Sequence, residues 1–448
     1  MSFFSTKIFN KHFIMNFLFS SLIVSFIAGN LVLNLNVILV IVTSFFFFKK
    51  RIFEFNLDLV DKILIILFAY ILLCGFFNGI YYYNDGSDKD FLVILKSIFF
   101  LRFLIFYFVV KFLIKENIIN LKFFFITSFA CVTFVCVDII YQLIYGYDLF
   151  GYVPDFETNR FSGPFGDELI AGSFIQRFSL ISLFLIPIYL KLKKNYIKYL
   201  LSIIVIFLFL TSLVLSGNRI PLSFFILSIL AVTIFEKKLR KFLLPFLLVV
   251  SLSIFSAFKL NKFSQYHLSS FKEKIIQMVL PFSKKNLLTS EERKNPELHE
   301  FYTFEHQGER YKIRNSHIKE FKTGYVTWLD KKIFGGGIKS FTINCPKAKT
   351  INCGSHPHNY YIEILANLGL FGFLIIFVLL TAIFYKTFIR KYFKNSHLNN
   401  YHVITPFIFL FFSEVFPIKS TGSFFSSGNA TYIFLLLSVM MALTKVKN

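Results

Sequence analysis

The stretch GSHPHNYYIEILANLGLFGFLIIFVLLTAIFY, residues 354–385, joins a polar segment to an apolar one. The apolar run from Ile362 to Tyr385 is long enough to cross the hydrocarbon core of a bilayer, about 30 Å thick, as one helix. Directly before it stand His356, His358 and Asn359, which gain nothing from contact with lipid. Histidine titrates near neutral pH and serves as a proton acceptor or metal ligand. The sequence therefore predicts a catalytic or metal site at the mouth of a membrane helix.

The composition is that of an all-α polytopic membrane protein. Hydrophobic residues make up 56% of the 448 residues, phenylalanine alone contributes 66, and the mean hydropathy is +0.64. The formal net charge of +23 would suit a nucleic-acid-binding protein. Most of these cations flank apolar runs, however, so membrane topology explains them and no nucleic-acid partner is expected. No small-residue cleavage site follows the first run, which we expect to be retained as a helix.

About twelve apolar runs are long enough to span a membrane. They lie at residues 13–29, 31–48, 59–79, 91–114, 120–145, 169–190, 197–216, 219–235, 242–258, 360–385, 401–418 and 428–443. Lysine and arginine cluster in the loops at one end of these runs. The opposite short loops carry only Lys89, Arg160, Arg219 and Lys419. Because cytoplasmic loops are enriched in cations, we expect both termini in the cytoplasm and these four residues on the outer side.

The runs divide the chain into three parts. Residues 1–258 hold the first nine transmembrane helices, residues 259–358 form one long outer segment, and residues 359–448 hold the last three helices. The outer segment is exempt from the charge rule because of its length. It is the only sizeable soluble part of the chain.

The outer segment is expected to be partly helical. Glu309 to Trp328 places apolar residues on one face of a helix, and Gln265 to Leu280 is a weaker candidate. Phe334-Gly335-Gly336-Gly337 then predicts a turn-rich break.

Four arginines are expected on the same side as the histidines: Arg160, Arg219, Arg310 and Arg314. An arginine at a membrane mouth often has an anionic partner, and its guanidinium matches phosphate oxygens in pairs. Facing His358, such a group would suit a pyrophosphate leaving group. Alternatively, Arg160 only extends to the aqueous interface, and Arg310 and Arg314 form the solvated face of an amphipathic helix.

Other charged residues lie close to or inside the apolar runs. Arg102, Asp138 and Arg177 could form buried ion pairs, or a proton path if the protein were a transporter. Glu363 and Glu414 lie near the outer ends of their runs and could orient the arginines.

Cys345 and Cys353 are the only cysteines outside the runs. An oxidising compartment favours a disulfide between them, stabilising the fold by about 2–3 kcal/mol. The alternative is a zinc site completed by His356 and His358, although the spacing is not that of a usual zinc finger. We favour the disulfide and expect no metal. Pro357 should turn the two imidazoles in different directions, so that His356 matters less than His358.

Several of these motifs resemble, in order, the O-antigen ligase and O-antigen polymerase family of bacterial inner membranes. The matching stretches are Arg160-x-x-Gly163-x-Phe165-Gly166, Ser216-Gly217-Asn218-Arg219, Arg310 with the helix after it and Phe334-Gly335-Gly336-Gly337-x-x-x-Phe341, and His356-Pro357-His358-Asn359-Tyr360-x-x-x-Leu365-x-x-x-Gly369-x-x-Gly372. They cover roughly residues 155–385, and the last is the most specific. Asn218 stands where the family commonly has serine, and Lys331-Lys332 where proline is common, but neither departure removes a catalytic group.

The resemblance implies a metal-independent glycosyltransferase of the GT-C type, without a cofactor, whose site faces the periplasm. The donor would be a glycan on undecaprenyl pyrophosphate, held in membrane lipid. The acceptor would be a sugar hydroxyl of lipid A-core for a ligase, or of another lipid-linked glycan for a polymerase. The implied general base is His358, and the implied donor pyrophosphate-binding residues are Arg219 and Arg310, joined by Arg160. The supporting residues are His356, Asn359, Arg314, Gly335 and Gly337.

Ligase function is the first expectation and polymerase function the alternative, since the two departures leave that choice open. A transporter or flippase of lipid-linked glycans is a further alternative. It would predict charged residues through the membrane midplane and two related halves, whereas the cations here cluster at one face.

Overall fold

The structure is a computed structural model. It describes residues 10–54, 56–84, 90–155, 160–191, 193–237, 240, 288, 303–306, 309–313, 316–347, 353–394, 398, 401–419 and 422–444. The ninth predicted span at 242–258, the helix candidate from Gln265 to Leu280, and Arg314 lie outside the described residues.

The chain forms a bundle of apolar helices. In order, the helices are α1 (Lys11–Ala28), α2 (Asn30–Phe48), α3 (Leu59–Asn84), α4 (Asp90–Lys115), α5 (Leu121–Tyr145), α6 (Ala171–Tyr189), α7 (Asn195–Leu215), α8 (Arg219–Phe235), α9 (Ser316–Asp330), α10 (Phe341–Lys347), α11 (Tyr360–Phe384), α12 (Thr405–Glu414) and α13 (Ser427–Leu443). Within the described residues, 8 helical stretches are long and apolar enough to cross a membrane, and α8, α12 and α13 are shorter apolar helices. Each predicted span that falls in the described ranges overlaps one of these helices, although α12 covers only the middle of the span predicted at 401–418. The all-α polytopic class is therefore confirmed.

Aromatic side chains fill the interior of the bundle, and further aliphatic and aromatic side chains cover its outer surface. Phe100 of α4 packs against Phe68 of α3 and Phe434 of α13, with ring centres 5.5 Å and 6.2 Å apart. Outward-facing residues are as apolar as the core: Phe46 is 75% exposed and Phe77 71%. Such a surface is stable in lipid and not in water, because apolar area exposed to water costs free energy.

Ion pairs join the helix ends at the side of the bundle away from the His356–Asn359 motif. Lys111 of α4 binds Asp61 of α3 and, at 3.1 Å, Asp58. Lys386, directly after α11, also reaches Asp58, at 2.6 Å. A second cluster, centred on Glu236, ties the end of α8 to residues after α11 and at the start of α12. Part of the cationic loop charge is therefore paired within the fold.

The charged residues predicted inside the runs have different partners. Arg177 forms an ion pair with Glu414, with 2.6 Å between Nη2 and Oε1. Arg102 instead donates to polar side chains of α2 and α13, and Asp138 accepts a backbone N–H. Of these three predicted residues, Arg177 alone has an ion-pair partner in the described part of the chain.

The outer segment begins differently from its prediction. Two antiparallel strands, β1 (Thr303–His306) and β2 (Glu309–Lys312), pair with Glu305 opposite Arg310. The helix starts at Ser316, so the predicted helical start at Glu309 is wrong and Arg310 lies in a strand. A short strand is decided by its pairing partner, which helical periodicity along one stretch does not reveal.

Helix α9 also packs through small residues rather than through its large apolar ones. Thr323 and Thr327 are buried, whereas Tyr325 is 52% exposed. The reason is the close approach of α11: a methyl group on Gly324 would lie 2.4 Å from Ile362 and 2.6 Å from Pro357. The helix is thereby pressed directly against the residue between the two histidines.

Candidate active site

The mouth of α11 is organised by a break within that helix. Gly369 has φ 66° and ψ −171°, outside the helical region. The carbonyls of Ala366 and Asn367, freed by the break, accept the backbone N–H groups of Gly336 and Gly337 at 3.2 Å and 2.7 Å. In return, the N–H groups of the two residues after Gly369 bind carbonyls just before the glycine turn, at 2.8 Å and 3.1 Å. The predicted turn is thus bonded main chain to main chain with the broken helix.

This contact explains why the turn is made of glycines. Gly335 and Gly337 have φ angles of 72° and 90°, which favour glycine. A methyl group on Gly335 would stand 2.4 Å from the backbone nitrogen of Gly369. Gly335 and Gly337 therefore allow the backbone of the outer segment to pack directly against α11.

Asn359 caps α11 and ties its mouth to a neighbouring loop. Its Oδ1 accepts the N–H groups of Tyr361 and Ile362 at 3.0 Å and 3.2 Å, as an N-cap residue does. Its Nδ2 donates to the carbonyl of Pro417 at 2.8 Å. His358, just before it, has a φ of 53°, an uncommon conformation for a residue with a side chain. A strained residue held in this way is a feature of functional sites.

The two imidazoles lie together. The ring centres of His356 and His358 are 4.2 Å apart, so the prediction that Pro357 turns them in different directions is wrong. Pro357 is buried against α9 and brings both rings to the same side. Burial, followed by the neighbouring His358 and Lys339, lowers the pKa of His356 to about 4. His356 is therefore neutral at pH 7 and is held by Ser355, whose Oγ lies 2.8 Å from its Nδ1.

Glu320 is a site residue that sequence reasoning missed. Its Oε1 lies 3.7 Å from Nε2 of His358. It is on α9 and resembles an ordinary solvated glutamate in the sequence. The available signal was spacing: Glu320 precedes Gly324 by four residues and so shares the helix face that packs on Pro357.

Arg160 and Arg219 are neighbours. Nε of Arg160 donates to the carbonyl of Ser216 at 3.4 Å, and a methyl group on Gly217 would lie 2.7 Å from the Arg160 side chain. Burial, followed by the charge of Arg219, lowers the pKa of Arg160. Arg160 thus packs on the turn before α8 and does not simply extend into solvent.

Asn218 explains one departure from the family pattern. Its Oδ1 accepts the N–H of Gly172 at 3.1 Å and its Nδ2 donates to the carbonyl of Leu169 at 2.9 Å. The amide therefore clamps the start of α6 to the turn that carries Arg219.

The loop after α12 joins the arginine turn to the histidine motif. Asn359 holds the carbonyl of Pro417 in this loop. Two residues on, Lys419 Nζ lies 5.5 Å from the ring centre of Phe224, in the helix that Arg219 begins. The arginine turn and the histidine motif are therefore at the same end of the bundle, which we call the histidine end.

Arg310 lies on a hairpin that is attached to α9. Lys322 Nζ of α9 donates to the carbonyl of Thr303 at 2.9 Å, which ties β1 to the helix that carries Glu320. The Arg310 carbonyl accepts the N–H of Leu288 at 3.0 Å. Arg310 thus stands on an arm attached to α9, not at the first turn of the helix.

The two glutamates near the helix mouths also have defined partners. Glu363 accepts Ser423 Oγ at 2.5 Å and the Phe424 N–H at 2.6 Å, which fixes the loop before α13. Glu414 binds Arg177 and Lys419, at 2.6 Å and 2.7 Å.

Cys345 and Cys353 are joined by a disulfide with a Cα–Cα distance of 5.7 Å. Their sulfurs are therefore bonded to each other in this structure and are not arranged as zinc ligands. In the described ranges, no group of three or more His, Cys, Asp or Glu side chains is placed to hold a metal ion.

The fold and this mouth define a multi-pass membrane protein with a polar histidine and arginine site at one end of its helices. Residues 204–377 match the family model described as O-antigen ligase, which agrees with the resemblance carried by the motifs and supports an O-antigen ligase- or polymerase-type function in general. The matched stretch contains Arg219, Arg310 and His358, whereas Arg160 precedes it. No curated protein matches the chain.

Proposed function

We propose that the protein is an O-antigen ligase of the bacterial inner membrane. It transfers a glycan from undecaprenyl pyrophosphate to a hydroxyl of lipid A-core on the periplasmic side. The observation that carries the proposal is the strained His358 at the mouth of α11, facing the carboxylate of Glu320 at 3.7 Å.

The reaction needs a base because a sugar hydroxyl is a poor nucleophile. In the proposed step, the acceptor oxygen bonds to the anomeric carbon, the bond from that carbon to the pyrophosphate oxygen breaks, and the hydroxyl proton passes to His358. A carboxylate near one ring nitrogen favours the imidazolium that forms when the ring takes this proton. Glu320 is therefore a positioning residue for His358.

The arginine turn serves the leaving group. Arg160 and Arg219 are close enough for their like charges to affect each other, and a pyrophosphate between them would offset that repulsion. Negative charge on the leaving oxygen grows as the reaction proceeds, so fixed guanidinium groups stabilise the transition state more than the bound substrate. Arg310 is proposed to contribute from its hairpin in the same way.

The test is glycan transfer by His358→Ala in a strain that lacks the wild-type protein. We expect loss of the lipopolysaccharide ladder at unchanged protein level. His12→Ala is the matched control, because His12 is exposed at the start of α1. Transfer by His358→Ala at a rate near wild type would contradict the proposal.

The lipopolysaccharide profile of a strain that lacks the protein separates ligase from polymerase, because a band that carries a single O-antigen unit indicates a polymerase. Loss of every band is also the result expected for an exporter. Transfer by purified protein, from a lipid-linked glycan to lipid A-core in detergent, distinguishes the ligase from a transporter, which would give no product.

A further inference from the structure

A cavity of about 480 Å³ lies at the histidine end, among the first turns of four helices. Asn30 of α2, Ser173 of α6, Pro221 of α8 and Ser427 of α13 all line it. The aligned peptide dipoles give the start of each helix a partial positive charge. Four such starts facing one volume favour an anion inside it.

Two cations line the same cavity and share one carboxylate. Arg177 Nη2 binds Oε1 of Glu414 at 2.6 Å, and Lys419 Nζ binds Oε2 at 2.7 Å. The Glu414 side chain is fully buried, whereas those of Arg177 and Lys419 are 15% and 7% exposed. In the described part of the chain, Nη1 of Arg177 has no hydrogen-bond partner, so it can donate to a ligand.

The triad therefore has a net positive charge and is largely buried. Phe165, Phe174 and Phe178 supply part of the lining, and a buried charge without a counter-charge is costly. Glu168 also lines the cavity, but it is exposed at the rim and remains solvated. An anion that reached Arg177 and Lys419 would balance the triad.

We propose that this cavity binds the pyrophosphate of the lipid-linked donor, with Arg177 and Lys419 as donor-binding residues in addition to the arginine turn. The position fits, because Ile220 and Pro221 of the lining directly follow Arg219. Asn359, next to His358, also approaches the carbonyl of Lys419 at 3.5 Å. The identity of the donor rests on the proposed function, but an anion site does not.

The test is binding of farnesyl pyrophosphate and of inorganic pyrophosphate to the purified full chain in detergent, by titration calorimetry. Lys419→Met should weaken binding about 10- to 100-fold, since it removes one charge-assisted contact. Lys419→Arg should retain binding. Glu414→Gln should bind more tightly than wild type, because it removes the competing carboxylate. Lys122→Met, at an exposed cation in the first turn of α5, is the control and should bind like wild type.

Equal affinity of Lys419→Met and wild type would overturn the proposal. So would weakening by Glu414→Gln as large as that of Lys419→Met in variants with the same elution profile, since that pattern belongs to a structural ion pair. If the two pyrophosphates fail to bind but phosphatidylglycerol micelles bind with the same variant pattern, the site takes a bilayer phosphate and the donor assignment is wrong. The assay involves no transfer, so a failed transferase function leaves its result readable.

Discussion

Gly369→Ala probes the joint between the broken helix and the glycine turn. The added methyl carbon would lie 2.2 Å from the carbonyl oxygen of Ile333, 2.4 Å from its carbonyl carbon and 2.5 Å from the nitrogen of Gly335. All three are main-chain atoms, which cannot swing aside as a side chain can. The backbone angles of Gly369 are also ones that only glycine adopts readily.

Gly369→Ala can lower the stability of the outer segment in two ways. If the turn stays in place, the strained conformation alone costs about 1–3 kcal/mol. If the turn moves away, the four main-chain hydrogen bonds between it and α11 are lost, at about 1 kcal/mol each. We therefore expect Gly369→Ala to lower the free energy of unfolding of the outer segment by about 3–5 kcal/mol.

Intrinsic fluorescence can follow this joint directly. Trp328 is the only tryptophan of the chain, and its indole N–H donates to the carbonyl of Lys332 at 2.9 Å, just before the turn. The measurement is denaturant unfolding in detergent, read at Trp328. Gly354→Ala is the matched control, because nothing lies closer than 3.8 Å to its added methyl group. If Gly369→Ala unfolded at the same denaturant concentration as this control, the proposed joint would be refuted.

Four further predictions concern the site and its placement. The pKa of His356 is about 4 in the folded protein, against 6.5 for a free histidine. The stability that the neutral imidazole contributes should therefore be lost as the pH falls from about 6.5 to about 4. Between pH 7 and pH 4, the free energy of unfolding of His356→Gln should fall by about 2–3 kcal/mol less than that of wild type, as measured by denaturant unfolding. Arg219→Lys should slow transfer by about 2–4 kcal/mol of transition-state stabilisation, because an ammonium lacks the paired donors of the guanidinium; a rate equal to wild type would count against this geometry. Cys345 and Cys353 should stay unlabelled by a thiol reagent in unreduced, denatured protein, and labelling of both would indicate free thiols. A cysteine at Asp167 should react with an impermeant reagent in spheroplasts and one at Lys194 should not; the reverse result would place the site in the cytoplasm.

The membrane helices could be predicted because each is encoded locally. Residues 120–145, for example, form a run of the right length between loops, and α5 covers Leu121–Tyr145. Crossing a bilayer requires internal hydrogen bonding and apolar side chains, and one continuous apolar stretch of sequence that forms a helix meets both requirements.

The sequence-based predictions that were wrong or missing concern contacts between distant stretches of the chain. The strand at Arg310 depends on its pairing with Thr303 to His306, and the orientation of the imidazoles depends on the packing of Pro357 against Gly324. The residues of a candidate site were found where a motif carries them, as at His358. Glu320 and Lys419 reach the site only through tertiary packing, which one sequence does not record.

The joint at Gly369 also has a consequence for how the chain can vary. The outer segment is attached to α11 there by peptide groups, which every residue other than proline provides alike. Side chains elsewhere on the segment can therefore be exchanged while the attachment persists. Under the proposed function, such exchanges would adapt the segment to a different sugar without altering its backbone attachment.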